Sequence, residues 1–277
     1  MRHLRGLLLA GGLLCAAVAA RAELQPLWEL GLGVAVLDWP LYRGAAERRS
    51  FLLPAPYLQY RGRFLQVERD RVRGLLWQQG PWELDLSVNG AVPVSSRDSE
   101  ARQGMPDLDP TLEIGPSLNV RLHDDARRHG RLDLRLPVRA VHAVGFGRFE
   151  QVGWLAQPQL NLDLPALLPG WSLSLQGSLL YGDRGYHAYF YDVAPTYATA
   201  TRPAYAAPGG FAGRQLLLAT SRRWGHWWFG GFLKWDDVGS AAFADSPLVQ
   251  RTHAVAAGFM LARVLAQSER LVEVGKD

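Results

Sequence analysis

Two carboxylate pairs are the first groups in this chain that could activate a water molecule. Asp107 and Asp109 bracket Leu108, and Asp236–Asp237 lie upstream of His253. Carboxylates beside an imidazole can orient water and accept its proton, which is general-base chemistry. The competing role is structural, because Asp before a turn or strand commonly binds backbone N–H groups. We adopt the structural role and assign no catalytic residue. Ser221 and His226 are close in sequence, yet Arg222 and Arg223 stand between them and no acid is evident. A nucleophilic serine needs a base that a third group holds in place. His142, His187 and His253 occur singly, without the close pairing of zinc sites. No metal ligand and no cofactor-binding residue is therefore expected.

A different set of charges is more regular. In "TLEIGPSLNVRL" (111–122) Leu112, Ile114, Leu118, Val120 and Leu122 alternate with Glu113, Ser117, Asn119 and Arg121. At ~3.3 Å per residue this strand reaches about 40 Å, roughly double a usual globular strand. Tilted by ~45°, it would span a hydrocarbon layer about 30 Å thick. The same alternation in neighbouring segments puts Glu83, Asp85, Glu113, Arg121, Arg131, Asp133, Arg135 and Asp163 on one polar face. Such charges escape lipid only by facing a barrel interior. There they either cross-link a filled lumen through ion pairs or select ions in a narrow pore. So many long Arg side chains favour the filled lumen.

These charges need strands to hold them. Alternation marks twelve segments: 27–37, 53–61, 63–69, 72–79, 82–92, 109–122, 130–144, 150–164, 171–181, 213–223, 227–237 and 252–265. Segments 63–79 are the weakest, and without that hairpin ten strands still close. With the first strand rising from the periplasmic face, the long connections 38–52, 93–108, 182–212 and 238–251 all fall on the outer side. Short turns fall on the other side, as in bacterial outer-membrane barrels. Trp28, Trp77, Trp82, Trp171, Trp224, Trp227 and Trp228 mark one end of the strands, and Trp39, Trp154 and Trp235 the other. That distribution suits two interfacial girdles. The expected fold is an all-β, antiparallel transmembrane β-barrel of about 12 strands (10 possible), with periplasmic N and C termini.

The chain begins "MRHLRGLLLAGGLLCAAVAARA", with basic residues, an apolar stretch and a small-residue cleavage site. Residues 1–22 read as a cleaved secretory signal peptide, leaving 23–277 as the barrel with a short periplasmic tail at 266–277. Three of the 30 basic residues lie in that leader, so the formal charge of +4 falls to +1. Nucleic-acid binding needs a gathered basic excess and is not expected. Beyond the leader no apolar run is long enough for a helical span. The partner expected from physical chemistry is outer-membrane lipid.

The 182–212 connection is too long to serve only as a link. Tyr181 at its base and Tyr186, Tyr189, Tyr191, Tyr197 and Tyr205 within it suit adaptable contacts, so these form a candidate recognition loop. A lid folded into the barrel mouth is the equal alternative.

Several stretches resemble the MipA/OmpV family of outer-membrane proteins: "LLPAPYLQYRGRFL" (52–65), "GMPDLDPTLEIGPSL" (104–118), "YFYDVAPTYATATRPAYAAPGGF" (189–211), "DSPLV" (245–249) and the closing strand "HAVAAGFMLARVLAQSERLVE". The resemblance covers essentially the whole mature chain. It implies a barrel of the Gram-negative outer membrane linked to peptidoglycan metabolism. The family's type member is a scaffold joining a lytic murein transglycosylase to a bifunctional penicillin-binding protein; other members are known as surface antigens or adhesins. The resemblance supplies no catalytic residue. A narrow channel and a rim hydrolase are the alternatives. In the scaffold reading, partners would meet the short turns, such as "HDDARRHG" (123–130), or the tail.

Overall fold

The computed structural model describes residues 23–67, 72–125 and 130–274; the expected leader and residues 126–129 of the 123–130 turn lie outside them. Along the chain run β1 (Glu23–Pro26), β2 (Trp28–Pro40), β3 (Arg48–Arg61), β4 (Leu65–Val67), β5 (Val72–Gln79) and β6 (Trp82–Ala91). They are followed by β7 (Thr111–Asp125), β8 (Gly130–Gly145), β9 (Arg148–Ala156), β10 (Gln159–Leu168) and β11 (Trp171–Gly182). Helix α1 (Arg184–Tyr191) precedes β12 (Gly210–Trp224), β13 (Trp227–Asp237), β14 (His253–Gln267) and β15 (Leu271–Val274).

All pairings are antiparallel, and β2 to β14 close on themselves. The closing contact joins β14 to β2, with Leu261 opposite Val34. β9 and β10 are two halves of one strand against β8. Their break falls at Gln157–Pro158, where proline has no N–H to give the ladder. Counted so, the described residues form a ring of twelve strands. The hairpin of 63–79 is present, with three described residues in β4 and eight in β5. The 38–52 connection shrinks to 41–47, because pairing of β2 with β3 continues to Pro40 and Arg48.

Alternation sorts side chains as expected. In β7, Glu113, Ser117 and Asn119 are buried while Leu112 and Leu122 are exposed on the outer wall. Trp77, Trp82, Trp154, Trp224 and Trp227 are also exposed there, consistent with girdles that meet lipid headgroups. Trp228 departs from this pattern. It turns inward and is 7% exposed, with its ring 5.3 Å from that of Tyr57. Two successive tryptophans in a strand must point to opposite faces, so only one can serve the girdle.

Below the ring, β1 and β15 form a separate two-stranded sheet, Leu24 opposite Glu273. The terminal region is thus a paired strand rather than a plain tail, and β14 runs to Gln267 before it begins.

Candidate functional site

The barrel has three candidate regions, which are its polar interior wall, its outer mouth and its periplasmic rim. The polar wall belongs to β5–β8, β10 and β11. There Glu83 pairs with Arg73 and accepts from Asn119 Nδ2 at 3.3 Å. Asp85 accepts from the same amide at 2.8 Å. Arg139 Nε donates to Glu113 at 2.9 Å, and its Nη2 reaches Gln157 at 2.5 Å. Asp133 takes Arg131 at 2.8 Å and Arg135 at 3.7 Å, and Arg135 also lies 3.7 Å from Asp163. Arg121 approaches Asp124 at 3.9 Å. Each of the eight candidate lumen charges thus has a carboxylate, guanidinium or amide partner within 4 Å.

Sequence reasoning missed Arg139 and Arg73, whose partners lie on neighbouring strands. It also missed the opposite wall. Several paired inner-face positions there are apolar, Ala35 with Met260, Leu37 with Gly258, and Phe232 with Gly258, while Lys234 and Asp236 carry charge above them on β13. On β3 the inner face continues through Phe51, Leu53, Ala55 and Tyr57. The interior is therefore two-sided, densely charged on one half and mainly apolar at mid-height on the other, where charges gather toward the ends at Glu29 and at Lys234–Asp236. A strand apolar on both faces shows no alternation, so its inner face was not visible as such.

At the outer mouth, α1 folds inward against β9 and β11. Asp183 caps it, accepting from Tyr186 N at 2.8 Å, and satisfies a donor that a helix start leaves unpaired. Gly153 and Gly182 permit the approach, since a Cβ on either would collide with Tyr186. Tyr191 stacks on Phe243 at 3.6 Å and donates to Arg43 O at 2.9 Å. Arg43 forms a two-pronged pair with Asp236 at 2.8 and 2.7 Å. His187 is fully buried, with Nδ1 2.6 Å from Pro208 O. The carbonyl can only accept, so the neutral ring carries its proton on Nδ1. Burial lowers the His187 pKa and pushes that of Tyr189 up to about 12.

The candidate recognition tyrosines divide. Tyr186 and Tyr191 are buried in this mouth core. Tyr189 and Tyr205 are partly buried against it, and Tyr197 packs beside Val193 and Leu248. Tyr189 donates to Asp109 O at 2.9 Å. Arg202 ties the loop to its neighbour, donating to Ala101 O and Gln103 O at 2.9 Å each.

The groups singled out for water activation are occupied. Asp107 accepts from Ser96 N at 2.6 Å, and Asp109 pairs with Arg148 at 2.8 Å. Asp237 accepts from Gly239 N at 2.9 Å, with Arg214 at 2.8 Å and His253 at 3.2 Å. Ser221 is buried on the inner face of β12, and His226 sits in the turn after that strand.

At the periplasmic end Glu29 is fully buried. Arg223 of β12 reaches across to pair with it, Arg61 lies 3.6 Å away, and Tyr57 Oη donates at 3.2 Å. Guanidiniums from two strands thus converge on one carboxylate beside the Tyr57–Trp228 rings.

A closed antiparallel ring with an oily girdle outside and charges inside defines an outer-membrane β-barrel protein. The model of the family described as MltA-interacting protein MipA matches residues 30–265, and the chain belongs to that family. No curated protein matches. Among solved structures, an outer membrane channel from Pseudomonas putida F1 shares 12% identity, over 90% of this chain and all of that one, with a TM-score of 0.34. The Ralstonia pickettii toluene transporter TbuX shares 10% identity, over 89% of this chain and 71% of that one, with a TM-score of 0.25.

Proposed function

We propose that this protein is a non-catalytic scaffold of the outer membrane whose periplasmic face holds enzymes of peptidoglycan remodelling, a lytic murein transglycosylase and a bifunctional penicillin-binding protein. Membership of a family named for interaction with MltA supports this reading. The observation that carries it within the molecule is the β1–β15 sheet. It lies on the side of the short turns, where a murein enzyme would be met, and it exposes Leu24 and Leu271. A two-stranded sheet has two unpaired edges, each able to accept a strand from a partner. The occupied carboxylates at the rim support the absence of hydrolytic work.

The test is affinity capture from detergent-solubilised envelopes, with the full chain and with a chain lacking residues 268–277. We expect a lytic transglycosylase or penicillin-binding protein to be retained by the first and lost with the second. A correctly assembled full-length barrel that retains no murein enzyme would refute the scaffold.

A further inference from the structure

Among the described residues, the wall of the barrel is incomplete beside β3. On that edge the described part of β4 pairs with it at two positions, Tyr60 with Val67 and Arg61 with Gln66. From Gln59 up to Arg48 no described strand pairs with it there, although its other edge pairs with β2 throughout. Residues 68–71 lie outside the described ones, and β6 runs to Ala91. Bare backbone groups facing hydrocarbon are strongly disfavoured, so a bare edge in a membrane protein calls for a cause.

The sequence supplies one. Arg61 N donates to Leu27 O, on the β2 side. Backbone N–H groups along a strand point alternately to its two neighbours, so odd-numbered residues of β3 face β2 and even-numbered ones face the gap. Pro54 and Pro56 are even-numbered. The missing donors therefore lie on the open edge, and a partner strand could not complete the ladder there. The same edge strand is apolar on both faces, Leu52 and Leu58 outward and Leu53 and Ala55 inward. Its inner face continues into the oily half of the lumen at Phe232 and Met260. Above, the outer mouth is covered by α1 and its loops, and Arg49 pairs with Asp98 of the 92–110 connection over the top of the gap.

We infer that the gap beside β3 is a lateral opening through which the acyl chain of a membrane lipid enters the apolar half of the lumen. A chain of methylenes needs neither donor nor acceptor. It meets an edge stripped of two donors, with apolar side chains on either side, at bilayer level. Another protein's strand would require the N–H groups that Pro54 and Pro56 lack.

The test reconstitutes the full chain in vesicles containing a phospholipid with a diazirine on its acyl chain, and maps photo-adducts by mass spectrometry. Adducts are expected on inward residues of β3, Leu53 and Ala55, and on Phe232, as well as on the outward Leu52. On β11, Leu175 should be labelled and the inward Gln176 should not. Ala55→Trp, which fills the inner side of the opening, should abolish labelling at Phe232 while leaving Leu52 unchanged. Heat-modifiable gel mobility checks that the variant is folded. Adducts confined to outward residues overturn the opening. Unchanged labelling of Phe232 in a folded Ala55→Trp barrel overturns entry beside β3. Inward labelling by a free aromatic diazirine but not by the acyl probe overturns the assignment to a lipid chain.

Discussion

Charged residues inside this barrel are fixed by partners. The Glu113–Arg139 pair is the clearest case, with side chains 8% and 4% exposed. Removing one member of a buried pair strands the other charge, at a cost of about 3–5 kcal/mol. Arg139→Ala should therefore lower the urea midpoint of the barrel strongly. Glu113→Gln combined with Arg139→Met should recover most of that loss, since replacing both partners leaves no isolated charge. The measurement is equilibrium unfolding in lipid vesicles. Equal loss in the single and double variants would show that the pair contributes through packing alone. Glu113 was legible in sequence because it interrupts a regular alternation. Arg139 was not, since "VRAVHAV" places it in a run that any buried strand could contain.

At the scale of elements, α1 shows how a loop becomes a lid. Its docking buries a neutral His187, whose pKa is lowered below the ordinary 6.5 chiefly by desolvation. A histidine that is harder to protonate when folded stabilises the docked state fully above the unfolded value. That contribution declines as pH falls through about 6.5 toward the lowered folded value. Chymotrypsin cleavage within 183–209, taken relative to its cleavage of an unstructured peptide at each pH, should accordingly accelerate as pH drops from about 7 to about 5. His187→Phe should flatten that dependence while heat-modifiable mobility stays intact. Relative cleavage that is slower at low pH would contradict the docked neutral ring. The sequence presented lid and recognition loop as equal alternatives for these tyrosines. Their burial depends on Phe243 and Val238, which lie in a connection far along the chain.

For the whole molecule, two sets of contacts lie at opposite ends of the barrel interior. One is the mouth lid and the other is the Glu29–Arg223 cluster at the periplasmic end. Two resistances in series mean that removing either alone opens little. Deleting 185–207 should leave single-channel conductance small. The same deletion with Glu29→Ser and Arg223→Ser should raise it markedly. Planar-bilayer recordings in which the loop deletion alone gives a wide pore would place the sole barrier at the mouth.

Alternation, length and the placement of long and short connections determined the barrel, its strand count and its inside-out polarity. These are local properties, since a strand's two faces are written residue by residue. The same local code predicts one polar face for the eight candidate lumen charges. What only the tertiary structure decided is which strands face one another across the interior and which edges remain bare. The oily half-lumen, the inward Trp228 and the Glu29–Arg223 lock arise from strands far apart in sequence. Pro54 and Pro56 were readable as prolines from the start, but their meaning depended on register. Only pairing with β2 fixes which edge of β3 lacks its donors.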